Sequence, residues 1–248
     1  MSFLHTIPLS PNLISPLEPP QLSSDDVLIF FLDTSVCFHL IPEFLRFLPR
    51  EEIEQAQARR DYLKFRYIIN RAILRLILSN YLNLPPRQIT LFYNTKGKPD
   101  LTPGINSQGI RFNISHKHDY TIYALSLNPV GIDLEKIEEK RRALAIAKRF
   151  FTSHEYEYLR KLNSQDTIIE FFRLWTAKEA YLKAIGEGIS GGLRRIDLAK
   201  NNQPNWQIYN AFIKGNYLVS VAIKKKKDNY KFQWIEVSGR MLSYLLNM

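Results

Sequence analysis

The 248-residue chain carries 34 Lys and Arg against 24 Asp and Glu, a formal net charge of +10, with 45 % hydrophobic and 23 % charged residues. That balance excludes bulk disorder, and the longest clean apolar run, Val27 to Leu32, is too short to cross a bilayer. A single cysteine, Cys37, excludes an intrachain disulfide framework and a cysteine-rich metal site, while the positive excess favours a polyanionic partner such as nucleic acid, a nucleotide or an acidic protein.

Five of the 13 prolines lie in the first 20 residues, which predicts an irregular or extended arm over 1–24. No basic segment followed by an apolar stretch is visible there, so the expectation is a cytoplasmic protein. Val27 to Leu32 suits a buried strand. Pro49 to Leu82 has helical spacing at Ile53, Ala56, Leu63, Tyr67, Leu74 and Leu78, with arginines on other faces, and Pro85-Pro86 ends it. Strand-like runs follow at Ile89–Tyr93, Ile110–Ser115 and Tyr120–Leu127, with a turn at Lys96-Gly-Lys-Pro99.

A second cycle opens at Asn128-Pro129: a strand over Val130–Ile137, helices over Ala143–Lys161 and Thr167–Ile185, and a glycine-bearing break over Gly186–Gly192. Beyond Leu193 the alternation predicts a small antiparallel sheet with Lys224–Asn229 as a basic hairpin turn, then a last helix over Ser238–Leu246. Phe65-Arg66 and Phe172-Arg173 recur 107 residues apart. The repeated element order predicts an α+β fold of two similar halves, 25–128 and 129–248, related by a pseudo-twofold axis. Each is a small, mostly antiparallel sheet with packed helices, and the two halves would face each other across a cleft.

The sharpest chemistry is acidic. On a strand, Asp133 and Glu135 point to one face, where two carboxylates repel unless solvated, protonated or bridged by a cation such as Mg²⁺. On a helix, Trp175, Glu179 and Lys183 share a face at four-residue spacing. Spacing alone also admits a solvated strand face, an ordinary Glu–Lys helix pair and a core tryptophan.

The combination Gly131-Ile-Asp133-Leu-Glu135 with Phe171-Phe-Arg-Leu-Trp175-Thr-Ala-Lys178-Glu179-Ala-Tyr-Leu-Lys183-Ala-Ile-Gly186 resembles the signature of 4′-phosphopantetheinyl transferases. Upstream, Lys96-Gly-Lys98-Pro99 and Phe112-Asn113-Ile-Ser115-His116 match two further motifs in order. Size and the two-cycle pattern resemble the monomeric surfactin-synthetase-activating (Sfp) type.

The resemblance implies transfer of phosphopantetheine from coenzyme A to a serine of an acyl carrier protein, or of a carrier domain of a polyketide or peptide synthase. It implies Mg²⁺, with Mn²⁺ as a substitute, held by Asp133, Glu135 and Glu179. Glu179, directly or through metal-bound water, is the candidate base, and Lys183 meets the departing phosphate. Lys96, Lys98, Pro99, Asn113, Ser115 and His116 would contact coenzyme A. Arg66 and Arg71 align with a basic helix that reaches the nucleotide. The usual 3′-phosphate lysines do not align; among Arg50, Arg59 and Arg60, Arg60 is the candidate. His118 and His154 match nothing and are expected to be structural. Neither nucleic acid nor membrane is an expected partner. The competing expectation is a non-enzymatic basic module, for which Lys224 to Lys227 and the arginine-rich helix speak.

Overall fold

The computed structural model describes residues 6–8, 11–139, 142–188, 192–198, 205–226 and 230–247. In chain order the first half holds β1 (Thr6–Pro8), β2 (Leu13–Ile14), β3 (Asp26–Asp33), α1 (Ile41–Leu45), α2 (Arg50–Gln57), α3 (Asp61–Leu82), β4 (Leu91–Tyr93), β5 (Pro99–Leu101), β6 (Arg111–Lys117) and β7 (Tyr120–Ser126). The second holds β8 (Val130–Lys136), α4 (Ala143–Phe150), α5 (Ser153–Leu159), α6 (Ser164–Ile185), β9 (Trp206–Ile213), β10 (Tyr217–Lys224), β11 (Lys231–Glu236) and α7 (Gly239–Leu246).

The fold is α+β. Two sheets, ordered β2-β11-β3-β7-β6 and β1-β9-β10-β8, together have four antiparallel and three parallel pairings among the described residues, and each is served by one 22-residue helix, α3 or α6. The layers follow from side-chain alternation. In β3, Leu28, Phe30 and Leu32 pack with Ile69, Ile73 and Ile77 of α3. Val27, Ile29 and Phe31 belong instead to a cluster with Val130, Ile132 and Leu134 of β8 and Val219 and Val221 of β10. β3 is therefore buried on both faces, which explains its unbroken apolar run. The order is helix, sheet, sheet, helix, with the two sheets sharing a core.

The expected division at residues 128 and 129 is crossed at both ends of the chain. β11 leaves the second half and pairs in parallel with β3, and α7 puts Met241, Leu242 and Leu245 into the first half's core. The proline-rich arm forms two short strands, β1 parallel to β9 and β2 parallel to β11. Both lie at sheet edges, where a missing proline N–H is tolerated. The expected hairpin over Lys224–Asn229 is corrected: β10 and β11 belong to different sheets, so these two strands do not pair as a hairpin. Residues 227–229 of that turn, and 189–191 of the expected Gly186–Gly192 break, lie outside the described residues. The expected long helix from Pro49 breaks into α2 and α3, because Ala58 to Arg60 leave the helical path and Arg60 is extended.

A buried ion network ties α2 to α3. Glu52 receives Arg71 Nη2 at 2.9 Å and Arg75 Nε at 2.7 Å, and Arg75 Nη1 donates to the carbonyls of Pro86 and Ile89. Burial raises the Glu52 pKa, but Arg75 and Arg71 outweigh it and leave the carboxyl below its ordinary value. A depressed carboxylate contributes stability above its unfolded pKa and loses it as pH falls through the folded value. Glu52→Gln should therefore cost about 3–5 kcal/mol at pH 7. The gap from the native chain should shrink as pH falls below about 4. Urea unfolding across that range checks this; a small or pH-independent gap would contradict it.

Candidate active site

The two sheets converge where β6 runs beside β8, and side chains make the join in place of a backbone ladder. Asn113 Oδ1 accepts the Ile132 N–H at 2.9 Å, and Ser115 Oγ accepts the Leu134 N–H at 3.2 Å. Lys117 reaches Glu135 at 2.6 Å. Alternation along β6 puts Asn113, Ser115 and Lys117 on one side of the strand, so three successive same-face residues stitch the seam.

On β8 the even-numbered residues fill the core between the sheets, and Gly131 and Asp133 turn toward α6. Gly131 is required for that approach: a Cβ there would lie 2.1 Å from the Ala180 carbonyl oxygen and 2.4 Å from the Ala184 nitrogen. The close helix carries Glu179 and Lys183 onto Asp133. Lys183 Nζ sits 2.5 Å from Asp133 Oδ1 and donates to Ser115 Oγ at 2.9 Å, and Ser115 Oγ donates to Asp133 Oδ1 at 2.9 Å. Asp133 is 2 % exposed, and its Oδ2 has no hydrogen-bond partner.

Glu179 is buried beside this cluster. Burial, then the negative charges of Asp133 and Glu135, push its pKa up to about 8 against the opposing pull of Lys183. The Glu179–Lys183 helix pair that spacing admits is replaced by a Lys183–Asp133 pair, because the strand carboxylate lies in front of the lysine. No group of three or more His, Cys, Asp or Glu side chains among the described residues is drawn together as a finished metal site. The donor set nevertheless suits a hard divalent cation: three carboxylates, one of them with a buried oxygen that lacks a partner, and one whose pKa is raised by burial and by its neighbours' charge.

The remaining expected residues divide. Arg66 lies over the Tyr62 ring at 5.4 Å, and its Nε and Nη2 are buried without hydrogen-bond partners. Partial dehydration together with Arg66 and Lys183 holds His116 below its ordinary pKa. For a ring this open to solvent, the neighbouring cations are the firmer cause. Arg60 is exposed at the start of α3, and Lys96 is exposed in the β4–β5 turn. Arg71 departs from expectation: its guanidinium pairs with Glu52 in the core rather than facing an open cleft. Asn113 and Ser115 spend hydrogen bonds on the seam. Lys98 is half-buried and donates to the Ala184 carbonyl at 3.0 Å; burial lowers its pKa. Pro99 pairs with Tyr93 across the β4–β5 hairpin. A cavity of about 270 Å³ opens between that hairpin and α6, lined by Lys96, Lys98, Pro99, Asn113 and Lys183.

Trp175 is core, packed on Phe150, Phe151 and Phe171. Lys178 is also core. It is fully buried, with Nζ 2.5 Å from Glu155 and donating to the carbonyls of Leu193 and Ile196. Sequence reasoning missed Lys117, although its two-residue spacing from Ser115 was a readable signal.

Two family profiles match the chain: 4′-phosphopantetheinyl transferase, N-terminal, over residues 36–128, and 4′-phosphopantetheinyl transferase superfamily over residues 129–235. The chain belongs to the 4′-phosphopantetheinyl transferase superfamily. It is 33 % identical over 220 residues to the 4′-phosphopantetheinyl transferase HetI of Nostoc sp., covering 83 % of this chain and 92 % of that one. It is 36 % identical over 153 residues to the transferase gsp of Aneurinibacillus migulanus, covering 61 % and 62 %. It is 35 % identical over 150 residues to the human L-aminoadipate-semialdehyde dehydrogenase-phosphopantetheinyl transferase, covering 56 % of this chain and about half of that one, 48 %. These relatives are transferases, and nothing among them favours the basic-module expectation.

If burial and Asp133 raise Glu179 as described, Asp133→Asn should return its pKa toward the ordinary carboxylate range. Carboxyl-carbon NMR titration of the metal-free protein reads this. A value unchanged near 8 would contradict the assigned cause.

Proposed function

We propose that the chain transfers the 4′-phosphopantetheine arm of coenzyme A to a serine of an acyl carrier protein, or of a carrier domain of a polyketide or peptide synthase. Adenosine 3′,5′-bisphosphate is released. The observation that carries this reading is the Asp133–Lys183–Glu179 cluster at the seam, beside an open cavity. Arg66, whose buried nitrogens lack partners, adds positive charge near His116. Phosphoryl-type transfer asks chiefly for positioning and charge neutralisation, and these residue types supply both.

Asp133, Glu135 and Glu179 would hold Mg²⁺, with Mn²⁺ as a substitute. The bound ion supplies charge neutralisation for the pyrophosphate. The chain's own groups do the rest. Glu179, once ionised beside a bound cation, would accept the proton of the attacking serine hydroxyl, directly or through water. Lys183, partly exposed in its pair with Asp133, would exchange that carboxylate for a phosphate oxygen, with Ser115 as its companion donor. Arg66 and His116 offer hydrogen-bond donors to the nucleotide side, and Arg60 stays the candidate for the 3′-phosphate. The turn at Lys96, Lys98 and Pro99 forms one wall for the coenzyme. Asn113 supports the seam beneath it. Arg71 acts at a remove, by fixing α3 through Glu52.

No helix among the described residues is long and apolar enough to cross a membrane. The proposed setting is cytoplasmic and the proposed form a monomer, with coenzyme A and the carrier, in place of nucleic acid, as the anionic ligands of the basic chain.

Incubation with coenzyme A, Mg²⁺ and an apo carrier protein should add one phosphopantetheinyl group by mass spectrometry, and chelation of the metal should stop it. Glu179→Gln should slow loading about a hundredfold or more while the fold is kept. Absence of loading on several apo carriers, or full activity in the variant, would overturn the reading.

A further inference from the structure

The C-terminus of α6 ends against the β4–β5 turn of the first half. A helix leaves its last four carbonyls without intrahelical partners. Gly186, at φ +78°, closes α6 in the left-handed cap that glycine favours. Two carbonyls at this end are met from the β4–β5 turn: Lys98 Nζ donates to Ala184 O at 3.0 Å, and Asn94 Nδ2 donates to Gly186 O at 2.9 Å.

Asn94 also works inward. Its Oδ1 accepts the N–H groups of both Lys96 and Lys98 at 2.9 Å, so one side chain closes the turn that presents these two lysines. The same amide thus shapes the turn with its oxygen and docks it on α6 with its nitrogen. Ala184, whose carbonyl receives Lys98, directly follows Lys183.

We propose that Asn94 is a positioning residue for the transfer reaction: a latch that fixes the coenzyme-facing turn of the first half in register with Glu179 and Lys183 of the second. This rests on the transferase reading above. The two ends of the amide separate the roles. The oxygen holds the shape of the turn, which governs coenzyme A binding. The nitrogen holds the turn against α6, which governs how bound coenzyme meets Glu179 and Lys183. A misplacement of about 1 Å at such a junction is enough to cost about a hundredfold in rate.

Two substitutions isolate the latch. Asn94→Asp keeps the acceptor for both turn N–H groups and turns an oxygen, not a donor, toward Gly186. Asn94→Ser keeps a short acceptor for the turn, has no reach to Gly186, and adds no charge. Both should lower kcat for carrier loading about tenfold or more, with KM for coenzyme A within about twofold of the native value. Asn94→Ala, which removes both ends, should lower kcat and raise KM together. Native-like circular dichroism and melting of the Asp and Ser variants accompany the assay.

Native kcat in both the Asp and Ser variants would overturn the latch, as would a rise in KM alone. Loss of the folded state in both would also overturn it, by making the residue structural. Failure of the native chain to load any carrier would instead overturn the transferase reading, so the two failures are distinguishable.

Discussion

The structure depends on the way β6 meets β8. Two sheets that share a core could slide past one another, since apolar contact is not directional. Here Asn113 and Ser115 hydrogen-bond the backbone of β8, and Ser115 and Lys183 converge on Asp133. Hydrogen bonds to a buried carboxylate are among the stronger and more directional interactions available to a protein. The seam therefore fixes the register of the halves, and the same contacts gather the charges that chemistry needs.

That arrangement places unlike requirements in one location. Asp133 is buried where an isolated carboxylate would be costly, and Lys183 and Ser115 compensate it on one oxygen only. Glu179, next to it, has its pKa raised by burial and by the charge of its neighbours, against the opposing pull of Lys183. A basic protein thus carries at its centre a small acidic cluster that is incompletely neutralised by its own side chains. Net charge assists the arrival of anionic ligands; the cluster is where a cation and a phosphate would be accommodated together. Gly131 permits this by letting α6 approach β8 more closely than any side chain would allow.

Much of this was legible in the chain. The alternation of Asp133 and Glu135, the helical spacing of Glu179 and Lys183, and the buried strand at Val27–Leu32 are short-range periodicities, and the structure follows them. What was not legible depends on long-range pairing. The departure of β11 to the first sheet and the use of the arm as two edge strands are set by which edges are free, and no local pattern reports that. Arg71 shows the same limit. Its place on a basic helix suggested a ligand contact, but the partner that claims it, Glu52, lies on a neighbouring helix whose packing the sequence does not display. Lys178 stands next to Glu179 in the chain yet faces the core, because successive helical residues point about 100° apart, whereas Trp175, one turn before Glu179 on the same side, is claimed by Phe150, Phe151 and Phe171.

The account's central claim is that Asp133, Glu135 and Glu179 form one cation site at the seam. The most direct measurement is an anomalous difference map from crystals grown with coenzyme A and Mn²⁺. The account predicts a single manganese peak ligated by these three side chains, with Lys183 no longer paired to Asp133 Oδ1. A coenzyme-bound structure with manganese elsewhere, or with Lys183 still on Asp133 and no ion at the three carboxylates, would contradict it.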